Sequence, residues 1–383
     1  MIQRERLKNL LIELVQIDSE SRKEREIALR LKSEMEELGG EVCFDDAGEK
    51  VGGSVGNLIT HFRGNVTGAN PILLSAHMDT VVPGQGVVPV LDGNILRSDG
   101  RTVLGGDDKS GVAIICEALR VLRENALPCG DVDVVFTICE ESGLIGAKCL
   151  DVSRLRARTG LVLDSDAVGL LVTRAPAANR MEFVVRGLEA HAGICPERGI
   201  SAIQVAAEGI ARMKLGRIDE ETTANIGSMQ GGAAVNIIPN YVVLKGEARS
   251  HRQEKLEQQT RLMRRSLEEA ASRHVLDLDG KRYQASVETR IQRDYDLMNV
   301  PDGSAIVRLV QAAARNLGME VKTQATGGGC DANVFNKKGL EVANLSTGMR
   351  DIHTVKEWID LNDLYTSAEI VLEIVRLHAA GGY

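Results

Sequence analysis

The sequence predicts an α/β protein in which a doubly wound sheet domain is interrupted by an inserted α+β domain. The first observation is an alternation of short apolar runs with amphipathic segments between the N-terminus and Leu163, which resumes after Pro301. The second is a central stretch with the order strand-helix-strand-strand-helix-strand, the ferredoxin-like arrangement. We therefore expect one domain built from residues 1–178 and 293–383 and a second from residues 179–292 of the 383-residue chain.

The first part of the chain begins with two predicted helices. Leucines at positions 7, 10, 11 and 14 recur at helical spacing. The second helix is expected over 21–38, with Ser19 or Ser21 as its N-cap and Gly39-Gly40 as its end. The apolar runs that follow are typical of buried strands. The elements expected next are strands over 57–61, 72–76, 132–138 and 161–163 and a helix over 108–124.

The inserted part and the C-terminal part are predicted from the same periodicities. In the inserted part we expect strands over 181–186, 223–229, 242–249 and 285–292 and helices over 201–214 and 253–274. In the C-terminal part we expect helices over 304–317 and 361–379 and strands over 320–324 and 341–345.

The composition excludes several classes of protein. Lys and Arg total 46 against 54 Asp and Glu, and the resulting net charge of −8 gives no electrostatic reason to bind nucleic acid. No apolar window is long enough for a membrane span, and the N-terminus lacks the apolar core of a signal peptide. The seven cysteines are odd in number and form no C-x-x-C pair, which favours reduced thiols. We expect a cytoplasmic protein without nucleic-acid or membrane partners.

Potential metal ligands stand at the ends of the predicted strands and loops of the first domain. They are His77 with Asp79, the pair Asp107-Asp108, the pair Glu140-Glu141, Asp164 and His353. Each pair alone is typical of a solvated helix start, but carboxylates that follow buried strands are costly unless a cation compensates them. The whole set favours a hydrolase with two divalent ions, and imidazole with carboxylate suits Zn²⁺.

The chemistry of such a site assigns different tasks to neighbouring residues. One carboxylate must bridge the two ions, and a free carboxylate beside them would move a proton from water. The adjacent pair Glu140-Glu141 can divide these tasks, one side chain on a metal and one off it. Asp79, two residues after His77 on an extended chain, can orient the imidazole.

The segments HMDT, GGDDKSG, CEESG, LDSD and DIHT, in this order, resemble the dizinc family of aminopeptidases, carboxypeptidases and deacylases, above all its peptidase T-like members. The resemblance runs from about Leu7 to the final helix. It implies His77, Asp107 and Asp164 on one zinc ion and Asp107, Glu141 and His353 on the other, with Asp107 bridging. It also implies Glu140 as the general base, Asp79 as the residue that orients His77, and a cis peptide bond between Asp107 and Asp108.

The resemblance extends to the inserted domain, which matches that family's lid and dimerisation domain. It implies that His191, in LEAHAG, stabilises the oxyanion, that Asn236 contacts the substrate and that Arg249 holds a substrate carboxylate. The Gly-rich segment over 327–333 is expected to line the substrate pocket. A homodimer through this domain is an expectation of the same kind.

The substrate class follows from one position within the resemblance. Family aminopeptidases tend to carry Asp at the position of Asp164, whereas carboxypeptidases and deacylases tend to carry Glu. We therefore expect a hydrolase of short peptides, di- and tripeptides, that acts from a free amino terminus. The alternatives are an N-acyl amino acid deacylase or carboxypeptidase on the same scaffold, and a non-catalytic relative that binds peptides.

Overall fold

The computed structural model describes residues 1–381, and these fall into two compact units. The first unit comprises Met1–Arg174, Met298–Thr326 and the chain from Cys330 onward, and the second comprises Ala175–Leu297 with Gly327–Gly329. The predicted fold class is confirmed, because a unit with a mixed sheet between helices is interrupted by an α+β unit with a five-stranded antiparallel sheet. The predicted boundaries at 179 and 292 lie four and five residues inside the ends of the inserted segment.

The chain up to residue 175 supplies eight strands and five helices. The helices are α1 Arg4–Val15, α2 Arg25–Glu37, α3 Ala47–Val51, α4 Gly106–Glu124 and α5 Ile145–Cys149. The strands are β1 Glu41–Phe44, β2 Leu58–Phe62, β3 Ile72–His77, β4 Pro89–Asp92, β5 Ile95–Ser98, β6 Val132–Thr137, β7 Thr159–Ser165 and β8 Leu170–Ala175.

The second unit contains long strands, short strands and two helices. The strands are β9 Ala177–Arg186, β10 Ala190–His191, β11 Gly216–Arg217, β12 Thr222–Gly231, β13 Ile237–Ile238, β14 Tyr241–Ser250, β15 Val275–Leu278, β16 Lys281–Gln284 and β17 Ser286–Tyr295. The helices are α6 Ala202–Ala211 and α7 Gln253–Arg273.

The C-terminal part returns to the first unit. Its strands are β18 Met298–Asn299, β19 Lys322–Ala325, β20 Glu341–Ser346, β21 Met349–Arg350 and β22 Trp358–Asp360. Its helices are α8 Ala305–Asn316, α9 Asp331–Lys337 and α10 Leu361–Ala380.

The large sheet of the first unit has the order β1-β2-β6-β3-β7-β20-β8-β18, with β19 beside β8. Its centre, β6-β3-β7-β20, is parallel, whereas β2 lies antiparallel to β6 and β8 antiparallel to β20. Every residue of β3 and β6 is buried, as expected for strands covered on both faces. Parallel strands end at the same edge, so the residues that follow β3, β6 and β7 gather there.

The second unit is built on the antiparallel order β12-β14-β9-β17, with short β11 at the edge of β12. This is the strand order of the predicted ferredoxin-like arrangement. Helices α6 and α7 pack on one face of the sheet and close a core that includes Phe183, Val205, Leu244 and Leu267. A separate two-stranded ribbon joins β10 to β13.

The start of the second helix was predicted wrongly. Helix α2 begins at Arg25 with Glu24 as its N-cap, and not at Ser21. The Ser21 hydroxyl instead donates to Asp79 Oδ2 over 2.6 Å, a partner 58 residues away that no local pattern indicates. The Ser21 side chain therefore makes a tertiary hydrogen bond and does not cap the helix.

Two further features concern the chain as a whole. Within residues 1–381, no helix combines the length and the apolar character needed to cross a membrane. All seven cysteines lie in the described part of the chain, and each is a free thiol.

Candidate metal centre and active site

The carboxyl-terminal edge of the central parallel strands carries the first group of site residues. His77 is the last residue of β3, Asp164 lies near the end of β7, and Glu140 with Glu141 follows β6 after a short turn. His77 and Glu140 are buried, and the Asp164 side chain is 11% exposed. The apolar strands therefore end by delivering an imidazole and three carboxylates to one place.

Two further predicted ligands come from loops at this edge. Asp107 lies at the start of α4, where Asp107 and Asp108 depart from helical dihedral angles and are joined by a cis peptide bond, as the resemblance implies. His353 lies in the loop between β21 and β22, with a φ of 61°. Its side chain is half exposed, in contrast to the buried His77.

Asp107 lies between the two histidines. Its Oδ1 is 3.1 Å from His77 Nε2, and its Oδ2 is 3.2 Å from His353 Nε2. On one side, His77 Nε2 is 3.9 Å from Asp164 Oδ1, and on the other, His353 Nε2 is 2.9 Å from Glu141 Oε1. The five side chains thus form two groups that share one carboxylate, with one oxygen facing each group.

The orientation of His77 is set mainly by a main-chain group. Its Nδ1 lies 2.8 Å from the carbonyl oxygen of Asp79 and 3.5 Å from Asp79 Oδ1. Because a carbonyl can only accept, Nδ1 carries a proton and Nε2 is the nitrogen that faces Asp107. The Asp79 carboxylate accepts the main-chain N–H groups of Glu140 and Glu141 over 2.9 and 3.2 Å. Asp79 therefore holds both the imidazole and the turn that carries the carboxylate pair.

The electrostatics of the cluster reflect crowded carboxylates. Burial, with further repulsion from Asp107, raises the pKa of Asp164 well above its ordinary value, and burial does the same for Glu140. Burial alone would raise the pKa of Asp107, but the imidazoles of His353 and His77 beside it hold that pKa below its usual range. The nearby carboxylates of Asp107 and Glu141 raise the pKa of His353 to about 10. The cluster therefore attracts positive charge strongly.

The donor set fits two divalent cations. Imidazole nitrogen and carboxylate oxygen are ligands that Zn²⁺ accepts. Glu141 Oε1 is buried and has no hydrogen-bond partner, although it lies 2.9 Å from His353 Nε2. Two ligand atoms that approach without hydrogen-bond geometry are positioned as a shared cation would require. The residues that would hold the ions are His77, Asp107 and Asp164 on one side and Asp107, Glu141 and His353 on the other.

Asp108 is close to the cluster but is engaged otherwise. It lies with His77 and Asp164 in a group whose ligand atoms are within 4.8 Å of one another. Its Oδ2 accepts the His77 N–H over 3.1 Å, and its Oδ1 accepts the Gly111 N–H over 3.2 Å. Both oxygens thus hold main-chain donors, which favours a structural role over ligation.

In the second unit the structure brings His191 and Asn236 together. His191 pairs with Ile237 in the β10–β13 ribbon, and the Ala192 N–H donates to the Asn236 carbonyl over 2.9 Å. The Gly193 N–H donates to His191 Nδ1 over 3.1 Å. Because Nδ1 is an acceptor there, the ring proton sits on Nε2, which is thereby a hydrogen-bond donor.

Arg249, the predicted reader of a substrate carboxylate, is paired within the second unit. Its Nε and Nη2 donate to the two oxygens of Glu247 over 3.0 and 3.1 Å. Its Nη1 donates to the Gly327 carbonyl over 3.3 Å. The forked face of the guanidinium therefore already binds a carboxylate, the same kind of group that the resemblance implies it binds in the substrate.

Three further polar residues support the first-unit cluster; Asn344 and Glu357 were not predicted from the sequence, and Asp331 was included only as part of the Gly-rich segment over 327–333. Asn344 donates to the Asp164 carbonyl over 2.6 Å and accepts the Asp164 N–H over 2.9 Å, so it fixes that ligand's main chain. Asp331 is buried and accepts from the Thr137 hydroxyl, and burial raises its pKa to about 6. Glu357 contacts the loop that carries Asp107. Two sequence features could have indicated such residues. Asn344 is a polar residue inside an apolar strand, and Asp331 is a carboxylate beside a Gly-rich run.

Comparison with known proteins gives concordant matches along the chain. Residues 73–377 match the peptidase family M20/M25/M40. The protein YqjE of Bacillus subtilis is 42% identical over 98% of this chain and 99% of its own. The structure of a tripeptidase from Staphylococcus aureus has a TM-score of 0.93 at 38% identity and covers 100% of both chains. The structure of the aminopeptidase PepT from Bacillus cereus has a TM-score of 0.89 at 41% identity and covers 99% of this chain and 100% of that one.

Proposed function

The chain belongs to the peptidase family M20/M25/M40 and is a metallopeptidase of short peptides, and on that premise we propose that it is a two-zinc aminopeptidase. The proposed substrates are di- and tripeptides with a free amino terminus. The predicted resemblance to peptidase T-like members is confirmed, and the solved structures named above are an aminopeptidase and a tripeptidase. The single observation that carries the proposal is the carboxylate of Asp107, which directs one oxygen toward each histidine.

The proposed division of tasks follows from the positions of the side chains. When bound, two zinc ions would polarise the scissile carbonyl and acidify a water molecule. Glu140 is buried beside the ligands, and burial keeps its pKa high, so its carboxylate is suited to take a proton from that water. After the water oxygen has added to the carbonyl carbon, Glu140 would donate the proton to the amine nitrogen as the peptide C–N bond breaks. The Asp79 carboxylate keeps Glu140 in place by accepting a hydrogen bond from the main-chain N–H of Glu140.

The second unit would supply the substrate contacts. His191 carries its proton on Nε2 and would donate a hydrogen bond from there to the oxyanion that develops as water adds to the carbonyl. Asn236, held beside it by the ribbon, would contact the peptide. Arg249 would bind the far carboxylate of the substrate, and its guanidinium would have to release Glu247 to offer its forked face.

Product analysis on one tripeptide, offered free and N-acetylated to the zinc-loaded enzyme, tests the proposal. We expect release of the first residue from the free tripeptide only, because Asp164 and its acidic neighbours suit a substrate ammonium group. Cleavage of the acetylated form alone would instead assign the protein to the deacylase or carboxypeptidase branch. Absence of cleavage of either form by protein that retains two ions would favour a non-catalytic peptide-binding relative.

We also propose that the protein is a cytoplasmic homodimer that pairs through the second unit. Strand β12 pairs with β14 along its length, but β11 covers its other side only at Thr223 and Ala224. In the described chain, the remaining edge of β12 is open for pairing with a second copy. Sedimentation equilibrium should give twice the monomer mass, and replacing Ser228 by Pro in that edge should shift the protein toward monomer. A wild-type monomer at micromolar concentration would refute the dimer.

A further inference from the structure

The side chain of Glu357 is directed at the loop that carries Asp107. Glu357 is 1% exposed and precedes strand β22. Its Oε2 accepts the Gly105 N–H over 2.8 Å, and its Oε1 accepts the Asp107 N–H over 2.9 Å. These contacts join positions 252 and 250 residues apart, so one carboxylate connects two distant segments of the first unit.

The loop presents main-chain N–H groups to this carboxylate. Its N–H groups precede the regular turns of α4 and have no partner inside the helix. Gly105 has a φ of 76°, and a Cβ on Gly106 would lie 3.1 Å from Glu357 Oε1. The two glycines therefore let the main chain approach the carboxylate closely, and Glu357 satisfies donors that would otherwise be buried without partners.

The same segment of the chain also carries His353. His353 Nε2 lies 3.2 Å from Asp107 Oδ2, while Glu357, four residues later, holds the Asp107 main chain. Asp107 is therefore held at its N–H and faced at its carboxylate by residues of a single segment. A shift of Glu357 would move the loop of Asp107 relative to His353.

We propose that Glu357 is a positioning residue that sets the place of the shared carboxylate Asp107 and thereby the affinity for both metal ions. This inference rests on the proposed two-metal function. Glu357 touches neither the ions nor the substrate in this role, and it acts only through the main chain of Asp107. Glu357→Gln would keep the size of the side chain but place an amide N–H₂ where an acceptor is needed, so one main-chain donor would lose its partner.

The test is a Zn²⁺ titration of metal-free protein against a competing chelator, with activity measured in parallel over the same range of free Zn²⁺. We expect Glu357→Gln to bind Zn²⁺ about 10–100-fold more weakly than the wild type. Substitution of a residue that hydrogen-bonds to a metal ligand typically lowers the metal affinity by this factor. Its activity should rise toward the wild-type value at high free Zn²⁺, because the proton-transfer group Glu140 is unchanged. Glu357→Asp, which keeps the acceptor but is shorter, should lie between the two.

Glu117→Gln is the matched control. Glu117 is also 1% exposed and accepts a main-chain N–H, that of Gln3, over 2.7 Å, but none of its partners belongs to the metal cluster. The Glu117→Gln protein should be less stable than the wild type but bind Zn²⁺ with unchanged affinity. If Glu357→Gln, or Glu357→Asp where the first variant does not fold, binds Zn²⁺ as tightly as the wild type, the role of Glu357 is refuted and the proposed function stands. If the wild type takes up fewer than two ions, both are refuted.

Discussion

Glu140→Gln is expected to lower kcat by about 10²–10⁴-fold, the range that a general acid-base group contributes, while the protein still binds two metal ions. The amide cannot accept a proton from water, and it keeps nearly the size of the carboxylate. The Glu140 N–H that binds Asp79 belongs to the main chain and is untouched by the substitution. The measurement is kcat on a free tripeptide at saturating zinc, with the metal content of the same samples determined by mass spectrometry.

The neighbouring variant Glu141→Gln separates the two tasks of the pair. Glu141 faces His353 and is a proposed ligand, so its substitution should lower the metal content as well as the activity. Should Glu140→Gln keep kcat within tenfold of the wild type, another residue is the base. Loss of metal from Glu140→Gln would instead place Glu140 among the ligands.

Asp107→Ala is expected to weaken the binding of both ions by more than about 100-fold. Substituting a residue that only hydrogen-bonds to a metal ligand already lowers metal affinity about 10–100-fold, and a proposed ligand should matter more. The Asp107 carboxylate directs one oxygen to each histidine, at 3.1 and 3.2 Å, so its loss affects both groups of ligands. Asp164→Ala removes a carboxylate from the His77 side only, so it should weaken one ion and leave the other bound. Metal content after gel filtration at defined free Zn²⁺ distinguishes the two variants.

The two variants distinguish a shared ligand from a ligand of one ion. An Asp107→Ala protein that retains one ion at wild-type affinity would mean that Asp107 serves a single metal. An Asp164→Ala protein that loses both ions would mean that the two groups of ligands are not independent. Circular dichroism of both variants without metal establishes that the comparison is made on folded protein.

Much of the fold was predictable because apolar runs mark buried strands and periodic leucines mark helices. The central strands ending at His77 and Asp164 were recognised as apolar segments, and their polar ends predicted the site. The ferredoxin-like unit was predicted because its six elements have clear periodicity and lie in one continuous stretch. The parallel centre of the sheet follows from the alternation with helices.

The remainder depends on contacts that no local pattern encodes. Strands β1, β4 and β5 have four residues each and are partly exposed, so neither a long alternation nor an apolar run marks them. The partners of Asp79 and of Glu357 lie 58 and 250 residues away along the chain, respectively. Asp79 was predicted to orient His77, but only the structure shows that its carbonyl oxygen makes the shorter contact with the imidazole, 2.8 Å against 3.5 Å for its carboxylate. Side chains that hold main-chain groups are visible only once the chain has folded.

Anomalous diffraction from crystals of the zinc-loaded protein, recorded at the zinc absorption edge, tests the shared carboxylate most directly. We expect two peaks about 3.5–4 Å apart, the separation of ions in two-metal sites, with Asp107 between them. His77 and Asp164 should contact one peak, and Glu141 and His353 the other. A single peak, or two peaks of which only one is contacted by Asp107, would contradict this expectation.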